Sequence, residues 1–374
     1  MKISVLCFDL SDNAAGRADL LARLLAPRYE VEVVGPTFGP AVWGPVADGA
    51  IRQRSVPGSC YPRFAGTLPQ LLRLADGDLL YASKPRPTSF GVGLLKRFVA
   101  RRPLLLDIDD WEVGFFYRSG AWGRVGRFLN LANPNGLPWT WLAERAVGAV
   151  QGLTVASRFL QQRFGGVLIP HVRDTEAWRP ETADPARARS RLGLGREQVV
   201  MFLGTPRGYK GVDDLAEAVR QLGRRNLVLA IVGCPPGSAT GRRLSATGIG
   251  VRLQGEIPFN EVPHYLAAAD LVAVPQRLTP DTVGQVPAKL FDAMALARPI
   301  VSTQVSMIPE ILDGCGLLVA PGDPRELATA IAFLLDHPEE ARALGLKARE
   351  RCVQRYSYTA ARQLLFPLVE RATP

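Results

Sequence analysis

Short apolar runs alternating with helical patterns, in two successive series, constrain this chain more than any other feature. The first series has runs at residues 3–8, 31–34, 79–82, 104–108, 153–155 and 167–169, separated by helical periodicity over stretches such as 17–25 and 90–99. Each run is too short for a helix and shows little polar alternation, the pattern of strands buried on both faces. A Pro-, Ala- and Arg-rich stretch follows at 179–191. The alternation then restarts, with strands expected at 199–203, 227–232, 251–254, 271–274, 300–302 and 317–319, and helices at 212–222, 261–268, 289–297 and 325–335. Strands that alternate with helices pair in parallel, because only a crossover brings the chain back in the same direction. The fold class is therefore α/β, with two Rossmann-like doubly wound parallel-sheet domains that meet near residues 173–185.

The chain has 374 residues, of which 47% are hydrophobic and 21% charged, enough for two buried cores and unlike a disordered composition. No apolar run reaches the length of a bilayer-spanning helix, and MKISVLCFDL leads straight into Asp9 and Asp12, so it reads as a buried first strand and a cytoplasmic location is expected. Five scattered cysteines (Cys7, Cys60, Cys234, Cys315, Cys352) lack C-x-x-C spacing and read as free thiols. The formal charge is +10, yet residues 1–173 hold 21 Lys and Arg against 13 Asp and Glu, which leaves only +2 for the rest. The dispersed arginines form no basic helix and no nucleic-acid signature, so the expected partner of the basic half is a phosphate-containing acceptor or an anionic membrane surface, with no nucleic acid.

The stretch 284–303, GQVPAKLFDAMALARPIVST, reads as a loop, a short amphipathic helix with Lys289 and Asp292, and a strand. A carboxylate one turn inside a helix at the open edge of a parallel sheet can accept from a ribose diol, while amides at the helix start face phosphate oxygens. That combination suits a nucleotide-sugar.

Several phrases then follow in a familiar order. Residues 200–215 (VMFLGTPRGYKGVDDL), 229–233 (LAIVG), 251–258 (VRLQGEIP), 265–275 (YLAAADLVAVP) and 291–295 (FDAMA) resemble the successive landmarks of the nucleotide domain in family 4 glycosyltransferases of the GT-B fold. The segment 169–174 (IPHVRD) resembles the crossing between that family's domains, and 355–361 (RYSYTAA) resembles the start of the helix that returns to the first domain. The resemblance implies two domains facing a central cleft: 1–175 for the acceptor, 176–355 for the nucleotide-sugar, and 356–374 as the returning helix. It also implies a retaining, metal-independent transfer without cofactor from a nucleoside diphosphate sugar to a glycan, lipid-linked or small-molecule acceptor.

The family's site residues carry over with departures. Lys210 falls on its diphosphate lysine, whereas the usual arginine position is Thr205, which makes Arg207 the nearest substitute. Gly204 and Gly233 sit where the strand ends approach the donor. Two glutamates with seven residues between them become Gly284 and Asp292, so a sugar-side carboxylate is missing unless Asp281 supplies it, and Gly284 and Gln285 are expected to offer free backbone amides. Val286 to Lys289 resembles a Pro-x-Lys variant, in which Lys289 replaces lost polar contacts or extends to solvent.

The first half is less explicit. Asn13 and Gly16 occupy the loop after the first strand, where the family has a glycine-rich turn, and are acceptor candidates, as are Lys84 and Arg86 after the strand at 79–82. Asp109 and Asp110 fall on the family's His-Asp pair and are catalytic candidates together with Lys210 and Arg207, Asp110 also facing the acceptor. Asp107-x-Asp109 matches the metal signature of the other glycosyltransferase fold, a short pattern frequent by chance. The aromatic and basic stretch with Trp122, Arg124, Arg127 and Phe128 suits a lipid-linked acceptor or a membrane interface. Two alternatives stay open, a non-hydrolysing sugar-nucleotide epimerase and an inactive nucleotide-sugar-binding protein. A dinucleotide dehydrogenase is excluded for want of Gly-x-Gly-x-x-Gly after a strand.

Overall fold

The computed structural model describes residues 1–118, 121–280 and 282–373, without the side chains of residues 117, 118, 121, 122 and 124. Contacts divide the chain into two compact units, residues 1–170 with 361–374, and residues 171–360. Residues 171–175 and 356–360, expected with the first unit, therefore belong to the second.

Among the described residues the first unit holds a seven-stranded sheet in the order β3-β2-β1-β4-β5-β6-β7, all parallel. Its strands are β1 (Lys2–Leu6), β2 (Glu30–Thr37), β3 (Arg52–Pro57), β4 (Leu79–Ser83), β5 (Leu104–Ile108), β6 (Gly152–Val155) and β7 (Val167–Leu168). Central β4 and β5 are buried at every position, as their apolar runs predict. Strand β3 was not expected. Its sequence RQRSVP buries only Val56, because an edge strand needs no continuous apolar run.

The second unit holds a six-stranded parallel sheet in the order β10-β9-β8-β11-β12-β13. These are β8 (Gln198–Leu203), β9 (Leu227–Val232), β10 (Gly250–Gln254), β11 (Leu271–Val274), β12 (Ile300–Thr303) and β13 (Leu317–Val319). The helix Val212–Leu222 follows β8, with Asp213 and Asp214 in its first turn complementing the helix dipole and Gly223 closing it at φ +60°. In each sheet the strand order reverses once, beside β1 and β4 in the first and beside β8 and β11 in the second. The carboxyl ends of strands at such a reversal open onto a crevice where ligands bind.

The first sheet is tied across its middle by a buried ion pair. Arg17, on the helix Ala14–Leu25, donates from Nε and Nη2 to the two Asp107 oxygens at 2.8 and 2.7 Å, and from Nη2 and Nη1 to the Ile169 and Pro170 carbonyls at 2.8 and 3.1 Å. Thr154 Oγ1 donates to Asp107 at 2.6 Å, and Tyr81 in turn donates to Thr154. Both charged side chains are essentially inaccessible to water. Removing one partner strands the other, so Arg17→Met is expected to lower stability by about 3–5 kcal/mol. Urea unfolding of the purified variant checks this; an unchanged midpoint would mean that Asp107 finds another partner.

Candidate functional site

The second unit gathers its candidate residues at the strand reversal. β8 ends at Leu203, and Gly204 turns the chain at φ +111°, a conformation that favours glycine. A Cβ there would lie 3.0 Å from Lys289 Nζ and 3.8 Å from Lys210 Nζ. Gly233, after β9 at φ +104°, is packed so closely that its Cβ would meet the Gly204 carbonyl carbon at 2.7 Å. The two glycines thus let the ends of β8 and β9 touch and leave space that two ammonium groups share.

Lys210 ends a single 3-10 turn, Gly208–Lys210, and donates to the Thr205 carbonyl at 3.0 Å. Burial, then the nearby Arg207 guanidinium, push its pKa down to about 8. Lys289 stands in the first turn of the helix Ala288–Ala295 with Nζ 4.3 Å from the Phe202 ring centre. Its buried Nζ has no hydrogen-bond acceptor among the described residues. Burial and the Lys210 charge hold its pKa well below the usual value, against a smaller pull from Asp292. Of the two expectations for Lys289, extension to solvent does not hold: the stem points inward.

The loop carrying Lys210 is stitched to the chain that leaves β11. Gly211, at φ +67°, is so close to the Pro275 carbonyl that a Cβ would sit 1.8 Å from its oxygen. Arg277 donates twice to Asp214, at 2.7 and 2.5 Å, and its amide donates to the Tyr209 carbonyl at 2.8 Å. Thr205 and Arg207 are exposed on the loop. Val286 is buried, and the Gln285 amide donates to the Thr282 carbonyl at 3.1 Å. The Gln285 amide is therefore engaged, contrary to the expectation of a free donor. Gly284 is buried in the same turn, and Asp281 lies outside the described residues.

Asp292 has a partner that sequence reasoning missed. Arg173 donates to its Oδ1 and anchors its own remaining nitrogens on the Val172 and Ala288 carbonyls at 2.7 and 3.4 Å, beside the adjoining rings of Trp178 and Phe259. Burial raises the Asp292 pKa, and Arg173 opposes that rise.

In the first unit the loops after β4 and β5 form a charge cluster. Lys84 adopts φ +70° and places Nζ 2.9 Å from Asp109, 2.8 Å from Asp110 and 2.9 Å from Glu112. Arg86 pairs with Glu112, donates to the Asn135 carbonyl at 2.6 Å and Thr140 at 3.0 Å, and lies between the rings of Phe8 and Phe116. Lys84 and Arg86, expected as cations for an acceptor phosphate, are instead neutralised internally, and three carboxylates outnumber them. One carboxylate oxygen from each of Asp109, Asp110 and Glu112 lies within 4.8 Å of the others, and the cation beside all three is the Lys84 ammonium. Asp107 belongs to Arg17, so Asp107 and Asp109 do not form one cation-binding pair. Asn13 is exposed at the start of the helix Ala14–Leu25, where its side chain makes no capping bond, and Gly16 packs on Trp43, whose ring would be 3.2 Å from a Cβ.

Burial pushes the Asp109 carboxyl up to about 6, Lys84 opposing and Asp110 and Asp107 adding to the rise. A carboxyl with a raised folded pKa gives stability that is fully present below its unfolded pKa near 4 and is lost as pH rises through 6. Asp109→Asn is therefore expected to flatten this loss, gaining about 1–3 kcal/mol on wild type between pH 4 and 7. Melting curves of both proteins at the two pH values measure it; parallel pH profiles would reject it.

Comparison with known proteins gives the family and the fold. The family model described as Glycosyl transferases group 1 matches residues 197–337. The GDP-mannose-dependent alpha-(1-6)-phosphatidylinositol monomannoside mannosyltransferase of Mycolicibacterium smegmatis is 32% identical over 318 residues, 79% of this chain and 77% of its own. The D-inositol 3-phosphate glycosyltransferase of Frankia alni is 35% identical over 189 residues, 46% of this chain and 44% of its own. Among solved structures, Anabaena Alr3699/HepE in complex with UDP-glucose superposes with a TM-score of 0.76 at 20% identity over 99% of both chains. Sucrose-phosphate synthase from Thermosynechococcus elongatus does so with 0.75 at 19% identity, over 99% of this chain and 98% of that one. At such identities the likeness carries the fold.

Proposed function

The chain belongs to the group 1 glycosyl transferases and has their GT-B fold of two Rossmann-like units, and from that premise we propose that its second unit binds a nucleoside diphosphate sugar whose glycosyl group it transfers, with retention, to a hydroxyl acceptor. The observation that carries the donor assignment is the convergence of Lys210 and Lys289 on Gly204 at the strand reversal. Transfer breaks the bond from the anomeric carbon to the diphosphate and forms one to the acceptor oxygen, so negative charge accumulates on the departing diphosphate. Fixed cations in a site screened from water stabilise that charge more in the transition state than in the ground state. Asp292, oriented by Arg173, is placed to accept from the ribose. Asp109, with a carboxyl near 6, is largely ionised at neutral pH and is the first unit's candidate to accept the acceptor's proton.

The relatives support a choice of substrates. The Mycolicibacterium smegmatis protein is named for GDP-mannose and phosphatidylinositol monomannoside, and the Frankia alni protein for inositol 3-phosphate. GDP-mannose is accordingly the first donor to try, and an inositol phosphate, free or lipid-linked, the first acceptor. No helix among the described residues is long and apolar enough to cross a membrane. A peripheral contact with an anionic leaflet is supported by the helix Ala121–Leu129, where Val125, Phe128 and Leu129 are exposed beside Arg127; the side chains of Trp122 and Arg124 lie outside the described residues. Metal independence is supported by the two donor-site lysines, which supply the charge a divalent ion brings elsewhere, and by the ammonium of Lys84 among the carboxylates of the first unit.

The test is product analysis with GDP-mannose or UDP-glucose, with and without inositol phosphate or phosphatidylinositol vesicles. Glycosylated acceptor with the donor's anomeric configuration is expected; rearranged sugar released without acceptor would establish an epimerase instead. Lys210→Ala removes a charge-assisted contact worth roughly 1.5–3 kcal/mol and should lower turnover about ten- to a few hundred-fold. Turnover that survives EDTA is also expected, and its loss with recovery on adding manganese would overturn the metal-independent mechanism.

A further inference from the structure

Lys289 sits where a lysine is disfavoured on three counts. Its ammonium is buried with no hydrogen-bond acceptor among the described residues, although its stem is long enough to reach water from a surface helix. A second ammonium, Lys210, approaches the same space beside Gly204. It also stands in the first turn of the helix Ala288–Ala295, at the positive end of the dipole. A side chain that merely filled the space over Phe202 would do so better as methionine. All three penalties reverse when an anion arrives.

The loop opposite lacks a cation at one position, although it carries Lys210 and Arg207. The position at which the resembling family has arginine is Thr205, exposed here, with its carbonyl engaged by Lys210. We propose that Lys289 is this chain's second diphosphate-binding cation, supplied from the helix on the far side of Gly204 in place of the loop cation that Thr205 omits. The assignment rests on the donor reading of the second unit. It makes Lys289 a residue that stabilises the leaving group while destabilising the empty protein.

Binding should also move protons. Burial first and Lys210 second hold Lys289 well below its usual pKa, and a bound diphosphate raises it again. Lys210, near 8, adds to the same uptake. Asp292 faces Lys289 from the same helix but is paired with Arg173. Lys289→Met therefore subtracts the Lys289 share alone.

The experiment is isothermal titration of wild type and Lys289→Met with UDP and GDP at pH 8, in two buffers of different ionisation enthalpy, with uridine and guanosine as controls. For the variant, diphosphate affinity is expected to fall tenfold or more, nucleoside affinity to stay within twofold, and proton uptake to shrink. The empty variant is expected to melt at the same temperature as wild type or higher. Diphosphate affinity within twofold of wild type overturns the inference and leaves the donor reading to rest on Lys210 alone. A variant that melts lower or fails to fold also overturns it, since Lys289 would then be holding the structure together. Wild type that binds neither diphosphate overturns the donor reading itself.

Discussion

A buried cation has to be met by an anion, and the cations of the first unit's loops meet theirs internally whereas two lysines of the second unit do not. In the first unit Arg17 is matched by Asp107, and Lys84 and Arg86 by Asp109, Asp110 and Glu112, so the loops after β4 and β5 are closed by their own charges. In the second unit Lys289 lacks an acceptor among the described residues and Lys210 has only a backbone carbonyl. The fold maintains this imbalance. Leu290, Phe291, Ala293 and Met294 are fully buried and fix the helix that carries Lys289, while Gly204 and Gly233 bring two strand ends close enough that no other residue can intervene. A charge that cannot relax locally is a standing preference for an external anion, and that preference is the chemistry expected of a diphosphate site.

The sequence made the parallel sheets and the glycine- and lysine-bearing loop after β8 legible because both are written locally. A continuous apolar run needs only its own residues to declare a buried strand, and the glycine and lysine positions of 204–211 lie within eight consecutive residues. What was illegible depends on partners far away in the chain. Arg173 and Asp292 are separated by more than a hundred residues, and nothing in the pattern around either announces the other. Strand β3 is polar at an edge and so lacks the signal on which the other strands were found. The inward turn of Lys289 was undecidable for a related reason: a lysine with apolar neighbours fits an exposed stem as well as a buried one, and the direction is set by Phe202 and Gly204, residues of another strand.

The cations at 84 and 86 show the same limit from the other side. A basic loop at the carboxyl edge of a strand looks like an anion site when only its own residues are read, and it becomes a saturated cluster once the next strand places three carboxylates beside it. The positive φ of Lys84, outside the region a lysine prefers, costs on the order of 1–3 kcal/mol and is offset by the three ion pairs that it allows. Excess basic charge in residues 1–173 is therefore a poor guide to where an anion sits, since much of it is already neutralised within the fold.

The consequence reaches the proposed reaction. Three carboxylates against two cations leave the cluster with one negative charge in excess, and burial with like-charge neighbours lifts Asp109 to about 6. A carboxylate in that range accepts a proton more readily than an ordinary surface aspartate and still remains ionised at neutral pH. Lys84 sets the limit of that rise, because its charge opposes the burial that would otherwise keep Asp109 protonated. The cage that pairs Lys84 and Arg86 is thus also what sets the Asp109 carboxyl, while Lys210 and Lys289 on the other unit have no carboxylate of their own among the described residues. Within the second unit the buried Arg173 does find an anion, Asp292, so the contrast lies in the two lysines alone.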